Sequence, residues 1–408
     1  MAAAYKLRLK GYRVTIFETL PVPGGMAAVG IPPYRLPKDI LNRDIEVITR
    51  AGVEIVYNTR YGRDLTSQSL KDRGYEAMFI AIGSHGDSKM GIEGEDQGHD
   101  GYVPGVVFLR DLNLGRPITP HKSVVIVGGG NVAMDCARSA FRLGFKEVHL
   151  IYRRTRAEIP ANEEEIEEAE KEGIQFHYLT NPTKLIAKDG KLVGVEMIRM
   201  ELGETDASGR RAPVPVKGSE FVMDCDVVIP AIGQTTEFEP FKADGVEVSR
   251  RGTIVVDPDS LQTNVAGVFA GGDCVTGPRT LIEALAAGNE AACAIDLYLH
   301  GEKPQRPDSA KVESAVKSLG SYSPREDAAD STLRERRGIR HLPVHVYEGA
   351  RDVGVVGGRE RPHQPMLAVA ERLNFDEVEF GYPGDDALSE AERCLRCYRV
   401  ALVATSEG

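Results

Sequence analysis

The chain has 408 residues, 42% of them apolar, which suits the cores of two or three domains. Acidic residues outnumber basic ones 61 to 50, a net charge of −11 that argues against nucleic acid or an anionic membrane surface as a partner. No apolar run approaches the ~20 residues of a membrane span, MAAAYKLRLK lacks the core of a signal peptide, and six cysteines do not make a disulfide framework, so a reducing cytoplasm is the expected compartment.

AAAYKLRLKGYRVTIFE reads as the back half of a helix, Gly11 as its stop, and a strand over Arg13–Phe17 that ends at Glu18. This is the second half of a dinucleotide-binding unit, with Glu18 placed to accept a ribose hydroxyl of an adenosine group. The strand and glycine loop that open such a unit would precede Met1. In the usual order that strand is central, so unpaired edges are expected, in a fragment or in a chain completed by another polypeptide. PVPGGMAAVGIPPYRLPKDI is dense in glycine and proline, and Gly24-Gly25, followed by Met26, lets backbone pass close to a ligand. Asp39–Ala51 is expected as an amphipathic helix with Ile40, Ile45 and Ile48 inward. Val53–Tyr57 and Glu76–Ile82 are expected strands, and the second closes on Ala81-Ile82-Gly83 for close passage of a dinucleotide.

Residues 123–154, SVVIVGGGNVAMDCARSAFRLGFKEVHLIYRR, organise the chain. A buried parallel strand (Val124–Val127) runs into Gly128-Gly129-Gly130-Asn131-Val132-Ala133, a G-x-G-x-x-A turn. Gly128 permits the tight turn, Gly130 the approach of a pyrophosphate, and Ala133 close helix–strand packing. The helix carries Val132, Cys136, Ala140 and Leu143 on one face and stops at Gly144. The second strand, Val148–Tyr152, ends on Arg153 and Arg154 where an acidic residue would hold a ribose 2′-hydroxyl. Guanidinium groups suit a 2′-phosphate, so the cofactor is read as NADP(H) rather than NAD(H).

Pro160 suits an early helix position, Gly173 ends that helix, and the glutamate run between them is expected to be a solvated face. Lys184–Leu202 reads as a hairpin about Asp189-Gly190. Asp226–Gly233 repeats the strand-to-Ala-x-Gly design and ends at Gly233, which suggests two nucleotide-binding domains of similar build. Thr253–Asp257 and Gly267–Ala270 are expected strands, the latter ending at Gly271-Gly272-Asp273, where Asp273 can accept a hydroxyl of a flavin ribityl chain. Thr280-Leu281-Ile282-Glu283 opens a helix with a capping box, and its free N–H groups and positive dipole end suit the pyrimidine side of a reduced flavin. Pro304–Arg337 is expected as a linker, Phe375–Phe380 as a short strand and Leu388–Tyr398 as a helix.

FETLPVPGGMAAVGIPPYRLPK, VVIVGGGNVAMDCARSAFRLG, YRRTRAEIPA, IPAIGQ, VFAGGDCVTGP and EAERCLRC together resemble the small (β) subunit of NADPH-dependent glutamate synthase and its relatives. The likeness covers nearly all of residues 5–300 and the extreme tail. It implies an α/β fold with two Rossmann-like three-layer domains, an FAD domain (1–118 and 234–302) split around an inserted NADPH domain (119–233), then a linker (303–337) and a tail (338–408). It also implies hydride transfer from NADPH to FAD, one-electron steps to iron–sulfur clusters, and a hetero-oligomer with an electron-acceptor subunit carrying iron–sulfur or flavin centres. The family's N-terminal cysteine-rich cluster domain and first FAD loop do not appear in these residues.

Cys394 and Cys397 form a C-x-x-C. A cluster or a structural zinc takes four ligands, so the pair is half of an iron–sulfur site completed elsewhere, a redox dithiol, or a helical pair without redox role. Two further hypotheses stand beside the flavoenzyme: a docking subunit that binds NADPH weakly and no flavin, and a disulfide reductase, which needs a dithiol beside the flavin.

Overall fold

The computed structural model of the protein describes residues 1–205, 210–307, 355–356, 359–360 and 364–387. Its contacts separate two units: Met1–Pro307 with Leu367–Val378, and Asp308–Met366 with Glu379–Gly408.

The first unit opens with α1 (Ala2–Leu9), which buries Ala3, Ala4 and Leu7 and stops before Gly11, at φ +96°. β1 (Thr15–Phe17), α2 (Met26–Val29), α3 (Lys38–Arg50) and β2 (Glu54–Val56) follow, with β1 and β2 parallel. Ile45 is the inward anchor of α3, while Ile40 is exposed. The inward stripe starts at Leu41 instead: Leu41 and Ile45, one turn apart, close on Gly24, where a Cβ would lie 3.5 and 3.3 Å from them. α4 (Ser67–Asp72), β3 (Met78–Ile80), β4 (Gly86–Asp87) and α5 (Gly105–Asn113) complete this stretch.

β5 (Ser123–Val127) is buried on both faces, as its unbroken β-branched run requires. It leads through the glycine turn into α6 (Asn131–Leu143), ended by Gly144 at φ +95°. β6 (Glu147–Tyr152), α7 (Glu163–Lys171) and β7 (Gln175–Tyr178) follow. Pro160 falls outside α7, whose N-cap is Asn162. The Thr155–Glu158 capping box closes a separate 3-10 turn, and Ala161 N–H then donates to Gly129 O, which draws this segment across the glycine turn.

The chain next forms β8 (Thr180–Lys188) and β9 (Lys191–Thr205), an antiparallel hairpin about Asp189 and Gly190, both at positive φ. β10 (Arg211–Pro215) and β11 (Phe221–Asp224) also pair with β9. β12 (Val227–Pro230) returns to give a parallel sheet of order β12-β5-β6-β7. Val124, Ile126 and Leu150 pack under α6 and α7, and Val125, Val127 and Ile151 face Leu185, Val195 and Met197 of the antiparallel strands. The layers are therefore helices, parallel sheet and antiparallel sheet.

β13 (Gln234–Thr235) pairs antiparallel with β4, so the outgoing and returning chain form one ribbon. α8 (Glu239–Ala243), β14 (Val268–Ala270), α9 (Asp273–Thr276) and α10 (Leu281–Leu299) close the unit. Thr253–Asp257 does not form a strand. Ile254 makes one bridge to Val248, because Asp257 turns the chain by accepting the amides of Asp259 and Ser260. β14 pairs in parallel with β3, and α1 and α10 pack together over Phe269. β1–β2 and β3–β14 are separate two-stranded ladders.

Leu367–Val378 joins this unit as an irregular loop closed by Leu367 N–H donating to Val378 O at 2.9 Å. Phe375–Phe380 is not a strand: the Val378 amide donates to Tyr34 O instead of to a ladder. In the second unit β15 (Val355–Val356) pairs with β16 (Arg359–Glu360), and Met366 bridges Glu379. The expected helix Leu388–Tyr398 and the linker beyond Pro307 lie outside the described residues.

Candidate functional site

The three glycines after β5 meet three surroundings. At Gly128, φ +145°, a Cβ would stand 2.2 Å from Ala231 O at the end of β12. At Gly129 it would enter the Tyr152 ring, and at Gly130, the N-cap of α6, it would meet nothing within 4 Å. Two glycines thus close the turn onto the sheet and the third opens on free space at a helix start, where unpaired N–H groups and the dipole favour an anion. Asn131 is exposed and its Oδ1 accepts the Asn162 amide at 3.0 Å, and Val132 is half-buried.

Beyond Tyr152 the chain bends and the two arginines diverge. Arg153 is exposed, whereas Arg154 is buried and its Nε donates to Arg211 O at 2.7 Å. Arg156 is engaged by Glu163 and Glu170.

In the other half Glu18 follows β1. Its Oε1 accepts the Leu20 amide at 2.8 Å, and burial pushes its pKa upward. Gly25, φ +55°, caps α2, and Met26 lies under Gly30. Gly272, φ +76°, caps α9 and presents Asp273 in its first turn, where Oδ1 accepts the Arg279 amide at 3.1 Å and burial again raises the pKa. Thr280 and Glu283 make the capping box: the Glu283 amide donates to Thr280 Oγ1 at 3.4 Å and the Thr280 amide to Glu283 Oε2 at 3.0 Å. Leu281 and Ile282, 50% and 70% exposed, leave an apolar helix start open.

The two Ala-x-Gly ends meet. Ala81 is exposed, Gly83 (φ +64°) and Gly233 (φ +149°) each feed a strand of the β4–β13 ribbon, and Ser88 N–H donates to Gly233 O. Gln234 Nε2 donates to Ser84 O at 2.8 Å, and Ser84 and Thr236 share a hydroxyl hydrogen bond.

The loop after Gly24-Gly25 is fastened to α5, α6 and α7. Asn113 Nδ2 donates to Val29 O at 3.0 Å. Arg35 bonds Asp135 at 2.8 Å and Glu165 at 2.9 Å. Tyr34 is buried with the Arg142 guanidinium 3.8 Å from its ring centre. Lys38 Nζ donates to Ala27 O and Ile31 O, and burial lowers its pKa to about 8.

The glutamate run is a solvated face on one side only. Glu165, Glu168 and Glu172 are buried, and Arg138 and Arg142 bridge to Glu172 at 2.9 and 2.8 Å. The sequence signal was two matched strides, Asp135, Arg138, Arg142 on α6 against Glu165, Glu168, Glu172 on and after α7, each at i, i+3, i+7.

Cys136, Cys225 and Cys274 are buried, with thiol pKa values raised by burial, and Cys293 is half-buried. Among the described residues no group of three metal-binding side chains occurs, and Cys394 and Cys397 lie outside them. Among the described residues no helix is long and apolar enough to cross a membrane.

A model of the pyridine nucleotide-disulphide oxidoreductases matches residues 1–288. The chain belongs to the pyridine nucleotide-disulphide oxidoreductase family. Within that family it is 52% identical over its whole length to the NADP(+)-dependent formate dehydrogenase subunit beta of Moorella thermoacetica, and 41% identical over 99% of its length to the NADPH-Fe(3+) oxidoreductase subunit beta of Geobacter sulfurreducens. It spans 54% and 60% of those two proteins. It is 35% identical over 73% of its length to a putative glutamate synthase [NADPH] small chain of Cereibacter sphaeroides, of which it covers 74%. The family's two-dinucleotide-binding-domain fold is seen in FprA of Mycobacterium tuberculosis in complex with NADPH (TM-score 0.62, 20% identity, 77% of this chain and 86% of that one) and in T. acidophilum thioredoxin reductase (TM-score 0.57, 21% identity, 74% and 94%).

Proposed function

We propose that the chain is the NADPH- and FAD-binding module of a multi-subunit oxidoreductase, passing a hydride between NADPH and FAD and electrons onward to an iron–sulfur partner. The observation that supports this reading best is the docking of the Gly24–Arg35 loop on α5 and α6, which sets a glycine-rich segment of one dinucleotide unit against the helix whose N-terminus opens on the other. Residues 119–233 hold the NADPH and residues 1–118 with 234–302 the FAD.

The residues fit both groups. The open N-terminus of α6 at Gly130 takes the NADPH pyrophosphate, with Asn131 and Val132 in the first turn, and exposed Arg153 pairs with the 2′-phosphate while Arg154 holds the strand end. Glu18 and Asp273 accept FAD hydroxyls. Gly25, Met26, Ala81, Gly83, Gly233 and Gly272 line the flavin path, and Thr280, Leu281 and Ile282 lay an apolar helix start with free N–H groups beneath the pyrimidine edge. Bound FAD supplies the chemistry, accepting two electrons as hydride and releasing them singly. The side chains position the cofactors and keep water from the transfer, and none is required as acid or base.

The relatives that align over 99–100% of this chain are named for formate dehydrogenation and iron reduction, whereas the glutamate synthase small chains align over 73–77% of it. That favours an electron-transfer complex of the former kind over glutamate synthesis. Cys394 and Cys397 are then two ligands of an iron–sulfur site shared with the partner.

The test is anaerobic titration of the FAD-reconstituted chain. Bleaching of the flavin's visible band by one equivalent of NADPH, and poorly by NADH, is the expected result. A docking subunit without flavin is the competing reading, favoured by the separate β1–β2 and β3–β14 ladders. It requires a chain that stays colourless after incubation with FAD.

A further inference from the structure

We propose that Leu367–Val378 is a strap that fixes the angle between the two dinucleotide-binding domains, with Arg372 as a positioning residue for hydride transfer; this rests on the function proposed above. The strap touches both sides of one seam. Toward α7, buried Arg372 Nη1 bonds Glu168 and reaches Glu172 Oε1 at 3.1 Å, while its Nε donates to Leu367 O at 2.7 Å and so holds the loop closed. Toward the glycine-loop side, the Val378 amide donates to Tyr34 O at 3.1 Å and the Phe375 ring lies 6.4 Å from that of Tyr34.

Residues 93–103 and α5 pack on the sheets of residues 119–233, so the chain crosses between this body and residues 1–85 through the β4–β13 ribbon, with glycines at positive φ before each strand, an arrangement that leaves an axis for rotation. The seam removes that freedom. Across it Arg35, on the glycine-loop side, pairs with Asp135 and Glu165, and the Arg142 guanidinium lies 3.8 Å from the Tyr34 ring centre, while Arg138 and Arg142 tie α6 to Glu165 and Glu172 within the NADPH side. Opening it would draw Arg35 away from buried Asp135, and an uncompensated buried charge is strongly unfavourable, so the closed arrangement is favoured over intermediate ones. Without Arg372, Glu168 keeps among the described residues only Lys171, whose side chain is exposed.

Hydride transfer depends on the approach of two carbons, and a displacement of about 1 Å costs on the order of 100-fold in rate. Arg372→Ala in the full chain is therefore expected to slow flavin reduction by NADPH on the order of 10- to 100-fold while FAD content and affinity for 2′,5′-ADP change less than about twofold. Arg372→Lys, which keeps one ion pair, recovers part of the rate. Phe375→Ala loosens the same contact with every charge intact and serves if Arg372→Ala does not fold. Wild-type reduction rates in both alanine variants, or a loss fully matched by weaker 2′,5′-ADP binding, overturn the strap. A wild-type chain that NADPH does not reduce instead overturns the function. The strap then stands or falls on hydrogen exchange: Arg372→Ala must speed exchange of the Ser88 amide in the ribbon while leaving Val125 and Val127 in β5 protected, and unchanged exchange at Ser88 refutes it.

Discussion

Gly129 lies against the Tyr152 ring so closely that a methyl group on it would stand 2.6 Å from Cδ2 and Cε2. The ring has no room to swing, because the Tyr152 hydroxyl donates to Glu158 O at 2.6 Å and ties it to the 3-10 turn beyond the strand. Gly129→Ala is therefore expected to destabilise the protein by about 1–3 kcal/mol and to weaken 2′,5′-ADP binding, because the helix start must shift. FAD content should hold. Thermal unfolding and ADP titration check it, and unchanged values in both would show that the turn yields freely.

Arg153 and Arg154 separate into two roles. Arg153→Ala removes an exposed guanidinium and is expected to cost about 1.5–3 kcal/mol of NADPH affinity, roughly 10- to 150-fold, with NADH affinity and melting temperature unchanged. Arg154→Ala also removes the bond to Arg211 O and should lower the melting temperature as well. Parallel titrations with NADPH and NADH decide it. A double variant that keeps its preference for NADPH refutes the 2′-phosphate assignment.

Much of the nucleotide fold was legible because its signals are local. A β-branched run, a glycine turn and a helix stop at Gly144 are each written within a few residues, and so is the Asp189-Gly190 hairpin. The Thr280–Glu283 capping box was legible for the same reason. The seam was not, because its partners are remote: Arg372 bonds Glu172 from 200 positions away, and Tyr34 meets arginines on α6. Buried charge also imitates surface charge in a sequence, so half of the glutamate run looked solvated. Ile40 shows the same limit at smaller scale, since packing on the remote Gly24 turns Leu41, one turn before Ile45, inward in its place.

The seam should leave two opposed slopes in stability against pH. Burial raises Glu172, but the hydrogen bonds of Arg142 and Arg138 outweigh it and hold the carboxyl down at about 2, against 4.5 ordinarily. A lowered carboxyl adds stability that is present above the unfolded value and lost as pH falls, here from 4.5 toward 2, and the shift corresponds to roughly 3 kcal/mol. Asp135 moves the other way: burial outweighs Arg35 and raises it to about 6 from 3.8. The folded state then holds its proton more tightly, so this group's contribution falls as pH rises from 3.8 to 6. Denaturant unfolding from pH 3 to 7 should show Glu172→Gln flattening the acid limb and Asp135→Asn flattening the decline above it. Identical profiles for wild type and both variants would mean that the seam carries no such charges.

Lys38 supports the glycine loop from below. Its Nζ donates to Ala27 O within α2 and to Ile31 O just beyond it, and Lys38→Met leaves both without that donor in a half-buried site. The loop should loosen, and flavin content after reconstitution should fall while 2′,5′-ADP binding is kept. A second consequence follows from burial, which lowers the Lys38 pKa to about 8 from 10.5. Between those values the unfolded chain holds a proton that the folded chain has released, so this group adds stability as pH rises through the window. The wild type should therefore gain on Lys38→Met between pH 8 and 10.5, and the difference between their unfolding curves isolates Lys38 from the tyrosines that titrate nearby. A difference that is flat with pH, together with full flavin content in the variant, would remove Lys38 from the support of the loop.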